Sequence, residues 1–186
     1  RTVTGVQTCA LPICHDIDRE VRNAKASIGI VPQEIVFDPF FTPAEVLENQ
    51  AGLYGVPKAM RRTMELLRAV HLADKADAYA RSLSGGMKRR LLIAKAMVHA
   101  PPVLVLDEPT AGMSHDEAPV ILDLIREIKK NPQAIVLLVE HKMDVVRELA
   151  DRIIVLHNGE LVADGSPNEV IASPVVQQAY LGKVSA

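Results

Sequence analysis

The sequence predicts an α/β fold built around a parallel sheet, and three observations carry this. Three short apolar runs, Ala26 to Val31, Val103 to Leu106 and Ala134 to Val139, read as buried strands. Between and after them lie helix-start signals at Thr42-Pro43-Ala44-Glu45, at Ser84-Gly85-Gly86, and at Ser114 with Glu117. The length of 186 residues is enough for one domain with a real core. A net charge of −2 argues against a nucleic-acid partner. No apolar run approaches the roughly 18 residues that a membrane helix needs, so any membrane link is expected through a partner. The chain has no initiator Met and no signal-peptide pattern. Cys9 and Cys14, with His15, are too few at suitable spacing for a metal site.

In chain order, the first strand stops at Pro32 and Gln33 follows directly. Glu34 to Phe41 is an aromatic-rich loop containing Phe37, Phe40 and Phe41. The Thr42 capping box starts a helix that is expected to run to about Tyr54 and end at Gly55-Val56-Pro57. Met60, Met64, Leu67 and Val70 are spaced for the apolar face of a second helix. Arg61, Arg62 and Arg68 fall on its solvated side, and Asp74 to Tyr79 is a short helical piece.

Leu83-Ser84-Gly85-Gly86-Met87 is a polar, glycine-rich turn entering a helix over Met87 to His99. Amides at a helix N-terminus attract anions, and two glycines let backbone approach a phosphate. Lys88, Arg89 and Arg90 read as a solvated face of that helix. Pro101-Pro102 ends it. The next strand runs into Asp107-Glu108, two carboxylates at the carboxyl end of a buried strand. Ligands of such sheets bind there, and this pair suits Mg²⁺ binding and water orientation.

Ser114 and Glu117 cap a helix whose stripe is Val120, Ile121, Leu124, Ile125 and Ile128, with Pro119 near its start. The strand Ala134 to Val139 ends at Glu140-His141, ahead of a helix over Met143 to Ala150. Ile153 to Leu156 and Glu160 to Ala163, joined by Asn158-Gly159, read as a β-hairpin. Ser166-Pro167-Asn168-Glu169 starts another capped helix, and Pro174 to Gly182 reads PVVQQAYLG. His71, His99, His115 and His157 read as surface or capping residues. No internal repeat is present, which argues for a single domain and against a fused pair.

LSGGM, followed by VLVLDE and then Pro109-Thr110, resembles the nucleotide-binding subunit of an ABC transporter. The resemblance implies a partial RecA-like P-loop NTPase core with an ABC-type helical subdomain. Residues 14–33 and 101–186 would form the core, and 34–100 the helical subdomain with the signature motif. ATP and Mg²⁺ are the implied ligands. Asp107 would hold Mg²⁺ through water, Glu108 would act as base or orient water, and Gln33 would reach Mg²⁺ and the attacking water. His141 would stabilise the transition state. Ser84, Gly85 and Gly86 would act on the ATP of a second, head-to-tail subunit. Permease subunits are the other implied partners, placing the chain at the cytoplasmic face of the membrane. Ser114 stands where the family usually has Asp, which weakens the expected cross-dimer contact there.

The family also carries a G-x-x-x-x-G-K-[ST] phosphate loop, and no such pattern occurs in these 186 residues. Val3 to Ile13, VTGVQTCALPI, matches the translation of a common sequencing adapter, so residues 1–13 read as non-native. Phe41 to His99 is similar to export-type ATPases, and Ala111 onward to branched-chain amino-acid importer ATPases. The two resemblances meet at VLVLDEPTAG, as a chimeric assembly would. Two rival readings follow: a catalytically dead fragment, favoured by the missing phosphate loop, and a soluble ATPase of the same family acting in translation or DNA repair. The short helical insert, with no sustained heptads, speaks against the second.

Overall fold

The computed structural model describes residues 15–16, 18–36, 38–114 and 116–181. Expectations for Val3 to Ile13, Cys9, Cys14, Phe37, His115 and the chain beyond 181 lie outside the described residues. The chain divides into two compact units, residues 1–139 and 140–186.

The first unit is organised on a three-stranded parallel sheet, β1 (Ile28–Val31), β2 (Val103–Asp107) and β3 (Ile135–Val139), with β2 in the middle. Register aligns Ile30, Val105 and Leu137 in one row and Val31, Leu106 and Leu138 in the next. Rows alternate between the two faces of the sheet. Val31, Leu104 and Leu106 on one face are buried. On the other face Ile30 is 63% exposed and Leu137 54%. The third strand was expected to be buried; it is covered on one side only, and Ile135, Leu137 and Val139 on the open face of the sheet stay exposed.

Among the described residues of this unit, five α-helices accompany these strands. α1 (Val21–Ala26) leads into β1. α2 (Pro43–Leu53) begins with the capping box the sequence predicts: Thr42 Oγ1 accepts from the Glu45 amide at 3.3 Å, and the Glu45 carboxylate accepts from the Thr42 amide at 2.8 Å. α3 (Thr63–Ala69) buries Leu66, Leu67 and Val70. Met60 and Met64, expected on that face, are exposed: Met60 belongs to a separate 3₁₀ turn over Lys58–Met60, and Met64 stands in the first turn of α3 away from Leu66 and Leu67. Arg61, expected in solvent, folds back: it donates to the Val56 carbonyl and to Glu48. α4 (Gly85–Ala96) supplies Leu91, Leu92 and Ile93 to the core. α5 (Ala118–Lys129) buries Ile121, Leu124 and Ile125.

His99 is not a plain surface residue. Its ring stacks on Tyr54 with centroids 3.7 Å apart and planes 3° from parallel, and Nε2 lies 3.3 Å from the Ile28 carbonyl. Burial pushes its pKa down, while the bond to Ile28 opposes that shift.

The second unit holds α6 (Met143–Leu149), an antiparallel hairpin of β4 (Ile153–His157) and β5 (Glu160–Gly165), α7 (Pro167–Ala172) and α8 (Pro174–Leu181). Ile153, Val155, Val170 and Val176 form its core. Asn158 and Gly159 both have positive φ, 51° and 81°, as a two-residue hairpin turn of the predicted kind requires. The Ser166–Glu169 capping box is also present. Among the described residues, no helix is long and apolar enough to cross a membrane.

Candidate functional site

The strand ends β1 and β2 bring the first cluster together. Asp107 closes β2, in register with Val139. Glu108, the next residue, has φ 44°, a left-handed conformation that side chains with a Cβ rarely adopt. Its amide donates to the Val139 carbonyl at 2.9 Å, and its carbonyl accepts from the Ala111 amide at 3.0 Å. Neighbouring backbone on both sides therefore holds this strained turn, and such strain marks a candidate functional position. Gln33 leaves the end of β1, and its Nε2 donates to Glu108 Oε2 at 2.9 Å. These two residues are 75 positions apart, and parallel pairing of β1 with β2 makes them neighbours.

Arg89 belongs to the same cluster. The sequence reading put it on a solvated face, but it is 3% exposed. Nη1 donates to the Pro32 carbonyl at 2.8 Å, and Nη2 to the Gln33 carbonyl at 2.6 Å. Nε is buried without a hydrogen-bond partner. Burial pushes the guanidinium pKa down, while the carboxylates of Glu108 and Asp107 hold it up. The signal was available in the sequence: Arg89 shares a helical face with Ile93 and Ala96, both buried. Arg90 also turns inward, donating to the Val70 and His71 carbonyls at the end of α3.

The second cluster is the first turn of α4. Ser84 caps it, its Oγ accepting from the Met87 amide at 3.1 Å. A carboxylate from the same chain has docked here. Ser84 Oγ donates to Glu117 Oε1 at 3.1 Å, and the amide and hydroxyl of Ser114 each donate to Glu117 Oε2 at 3.3 Å. A Cβ on Gly86 would overlap that carboxylate. The Ser114 amide, followed by the Ser84 and Ser114 hydroxyls and the charge of Arg90, holds the Glu117 carboxyl below its ordinary value against a smaller effect of burial. Ser114 was expected to cap α5 in a box with Glu117, but α5 has no side-chain cap. The structure keeps the Glu117 bond to Ser114, starts α5 only at Ala118, and adds the contact with Ser84. An anion thus sits where helix amides and glycines were expected to favour one.

His141 lies in the second unit and is exposed. Its amide donates to Glu140 Oε2 at 3.1 Å, as the Lys142 amide does at 3.4 Å. Of the predicted site residues, Gln33, Asp107 and Glu108 converge, and Ser84, Gly85 and Gly86 form one turn.

Asp107, Glu108 and Gln33 offer hard oxygen donors of the kind Mg²⁺ takes. Among the described residues, no group of three or more His, Cys, Asp or Glu side chains could hold a metal alone. Mg²⁺ usually binds through one or two carboxylates plus phosphates and water, so this donor set fits it together with a bound phosphate.

A mixed α/β unit with a glycine-rich helix start and an acidic strand end is an arrangement that nucleotide-binding proteins use. The chain belongs to the ABC transporter family, whose model matches residues 10–111. It is 38% identical over 172 residues to Nod factor export ATP-binding protein I of Paraburkholderia xenovorans, covering 91% of this chain and 55% of that protein. It is 37% identical over 174 residues to methionine import ATP-binding protein MetN 1 of Rhodopseudomonas palustris, covering 92% of this chain and 45% of that one. The chain thus spans about half the length of these curated relatives. A solved ATP-binding subunit of an ABC transporter superposes with a TM-score of 0.73 at 22% identity, covering 93% of this chain and 70% of that one. An ATP-binding cassette in its ADP conformation superposes at 0.68 with 26% identity, covering 83% and 69%.

Proposed function

We propose that these residues are part of an ATP-hydrolysing subunit that powers transport across a membrane. The observation that supports this best is the Gln33–Glu108 hydrogen bond at the strand ends. It joins two motif residues at the edge where parallel sheets bind ligands. Glu108 orients the attacking water and accepts its proton. Gln33 holds the Glu108 carboxylate in place and offers its carboxamide oxygen to metal or water. Asp107 would help hold Mg²⁺, which when bound would offset charge on the phosphates. Ser84, Gly85 and Gly86 act on ATP held by a second, head-to-tail subunit, after the Glu117 carboxylate moves aside. Permease subunits supply the membrane path and place this subunit on the cytoplasmic face. Relatives named for export and for import match alike, so the direction of transport is not assigned.

The test uses a protein that also carries the phosphate-loop segment. Glu108→Gln should retain ATP binding and lose turnover by on the order of 10²-fold or more. Near-normal hydrolysis would reassign the base. A second reading rests on the sequence: the 186 residues contain no phosphate-loop pattern. On that reading the chain by itself is a non-catalytic piece, or the product of joining two genes at VLVLDEPTAG. Titration with a fluorescent ATP analogue and Mg²⁺ should then show no saturable micromolar binding. Binding that Asp107→Ala abolishes would overturn it.

A further inference from the structure

We propose that Arg89 is a positioning residue: it fastens the loop after β1 to α4 and so sets the Gln33 carboxamide against Glu108. The geometry is a fork. Nη1 and Nη2 take two successive carbonyls, Pro32 and Gln33, at 2.8 and 2.6 Å. These carbonyls follow the last residue of β1, Val31, where the ladder to β2 ends. Backbone that leaves a sheet needs new partners for its polar groups. Charge-assisted bonds from a planar guanidinium are short and directional, so they fix a loop more firmly than neutral bonds do.

Three facts separate this from ordinary packing. Arg89 is almost wholly buried, although burying a cation is costly. Its Nε has no hydrogen-bond partner, so the side chain is arranged for the two carbonyls and not for its own full satisfaction. Burial pushes its pKa down, and Glu108 and Asp107, the carboxylates at the proposed hydrolytic end, oppose that shift. Arg89 also lies five residues beyond Ser84 in the same helix. One rigid turn and a half of α4 therefore separates the glycine-rich turn from the Gln33 loop. A shift of that turn reaches Gln33 through Arg89.

The inference rests on the reading of Gln33 and Glu108 as the hydrolytic end, but its test does not require hydrolysis. In the 186-residue chain, the side-chain amide signals of Gln33 are assigned by NMR through loss in Gln33→Glu. Glu108→Ala defines their position without the carboxylate. In the wild type these signals should be displaced from that reference. Arg89→Met should bring them to the Glu108→Ala position. Arg89→Lys, which keeps the charge without the fork, should restore the displacement only in part. If Arg89→Met does not fold, Arg89→Lys decides by the same signals. A folded variant that loses stability yet keeps the wild-type Gln33 signals would assign Arg89 a structural role and overturn the proposal. Near-normal turnover by Glu108→Gln would instead remove the catalytic reading and leave the positioning result standing.

Discussion

At the scale of single residues, Glu48 shows how a surface carboxylate ties a loop to a helix. It accepts from Thr63 Oγ1 and from Arg61 Nη1, the latter at 2.7 Å. Thr63 first, and Arg61 second, hold its carboxyl below the ordinary value of 4.5. A depressed pKa in the fold means that the charged form is the stabilising one. Its contribution is complete above the unfolded carboxylate value and is lost as pH falls through the lower folded value. The side chain is 41% exposed, so screening limits the ion pair to about 0–1 kcal/mol. Denaturant midpoints of wild type and Glu48→Gln should therefore differ at neutral pH and converge below 4.5. A constant difference across that range would reject the linkage. Arg61 and Arg89 share a lesson: an Arg in a charged stretch need not face solvent, because carbonyls at element ends recruit its fork.

At the scale of elements, close approach at Gly29 sets how β1 meets the end of α4. A Cβ there would lie 2.5 Å from the Ala96 carbonyl oxygen and 2.9 Å from Pro101 Cγ. Backbone and a proline ring cannot yield as a flexible side chain does. Gly29→Ala should cost about 1–3 kcal/mol, read as a lowered denaturation midpoint. An unchanged midpoint would show that the contact relaxes freely. The same element carries Pro32 and Gln33, so the substitution is also expected to perturb the Gln33–Glu108 bond. Helix starts were the most legible elements. The Thr42 and Ser166 boxes each fall where the local pattern puts them, because capping depends on residues three apart.

At the scale of the first unit, one face of the parallel sheet remains apolar and open. Ile30 and Leu137 stand in one row, with Ile135 and Val139 beside Leu137 along β3. Parallel sheets are ordinarily covered on both faces, and large exposed apolar patches drive association. The 186-residue chain should self-associate with rising concentration in sedimentation experiments. Leu137→Lys should weaken that association without lowering the melting temperature, because Leu137 is already more than half exposed. A monomer at every concentration would contradict this.

The sequence by itself determined what depends on neighbours along the chain. Strand runs, capping boxes, the Asn158-Gly159 turn and the two motif strings all lie within a few residues of one another, where local sterics and hydrogen bonds decide. The tertiary structure decided what depends on residues distant in sequence. Gln33 reaches Glu108 only because β1 pairs with β2, and Arg89 is buried only because α4 packs where the loop after β1 leaves the sheet. Glu117 reaches Ser84 across 33 positions, and Leu137 is exposed, with Ile30 in the same row, because that face of the sheet stays open. A periodic pattern shows which faces are apolar, but burial and pairing depend on which other element arrives to cover them.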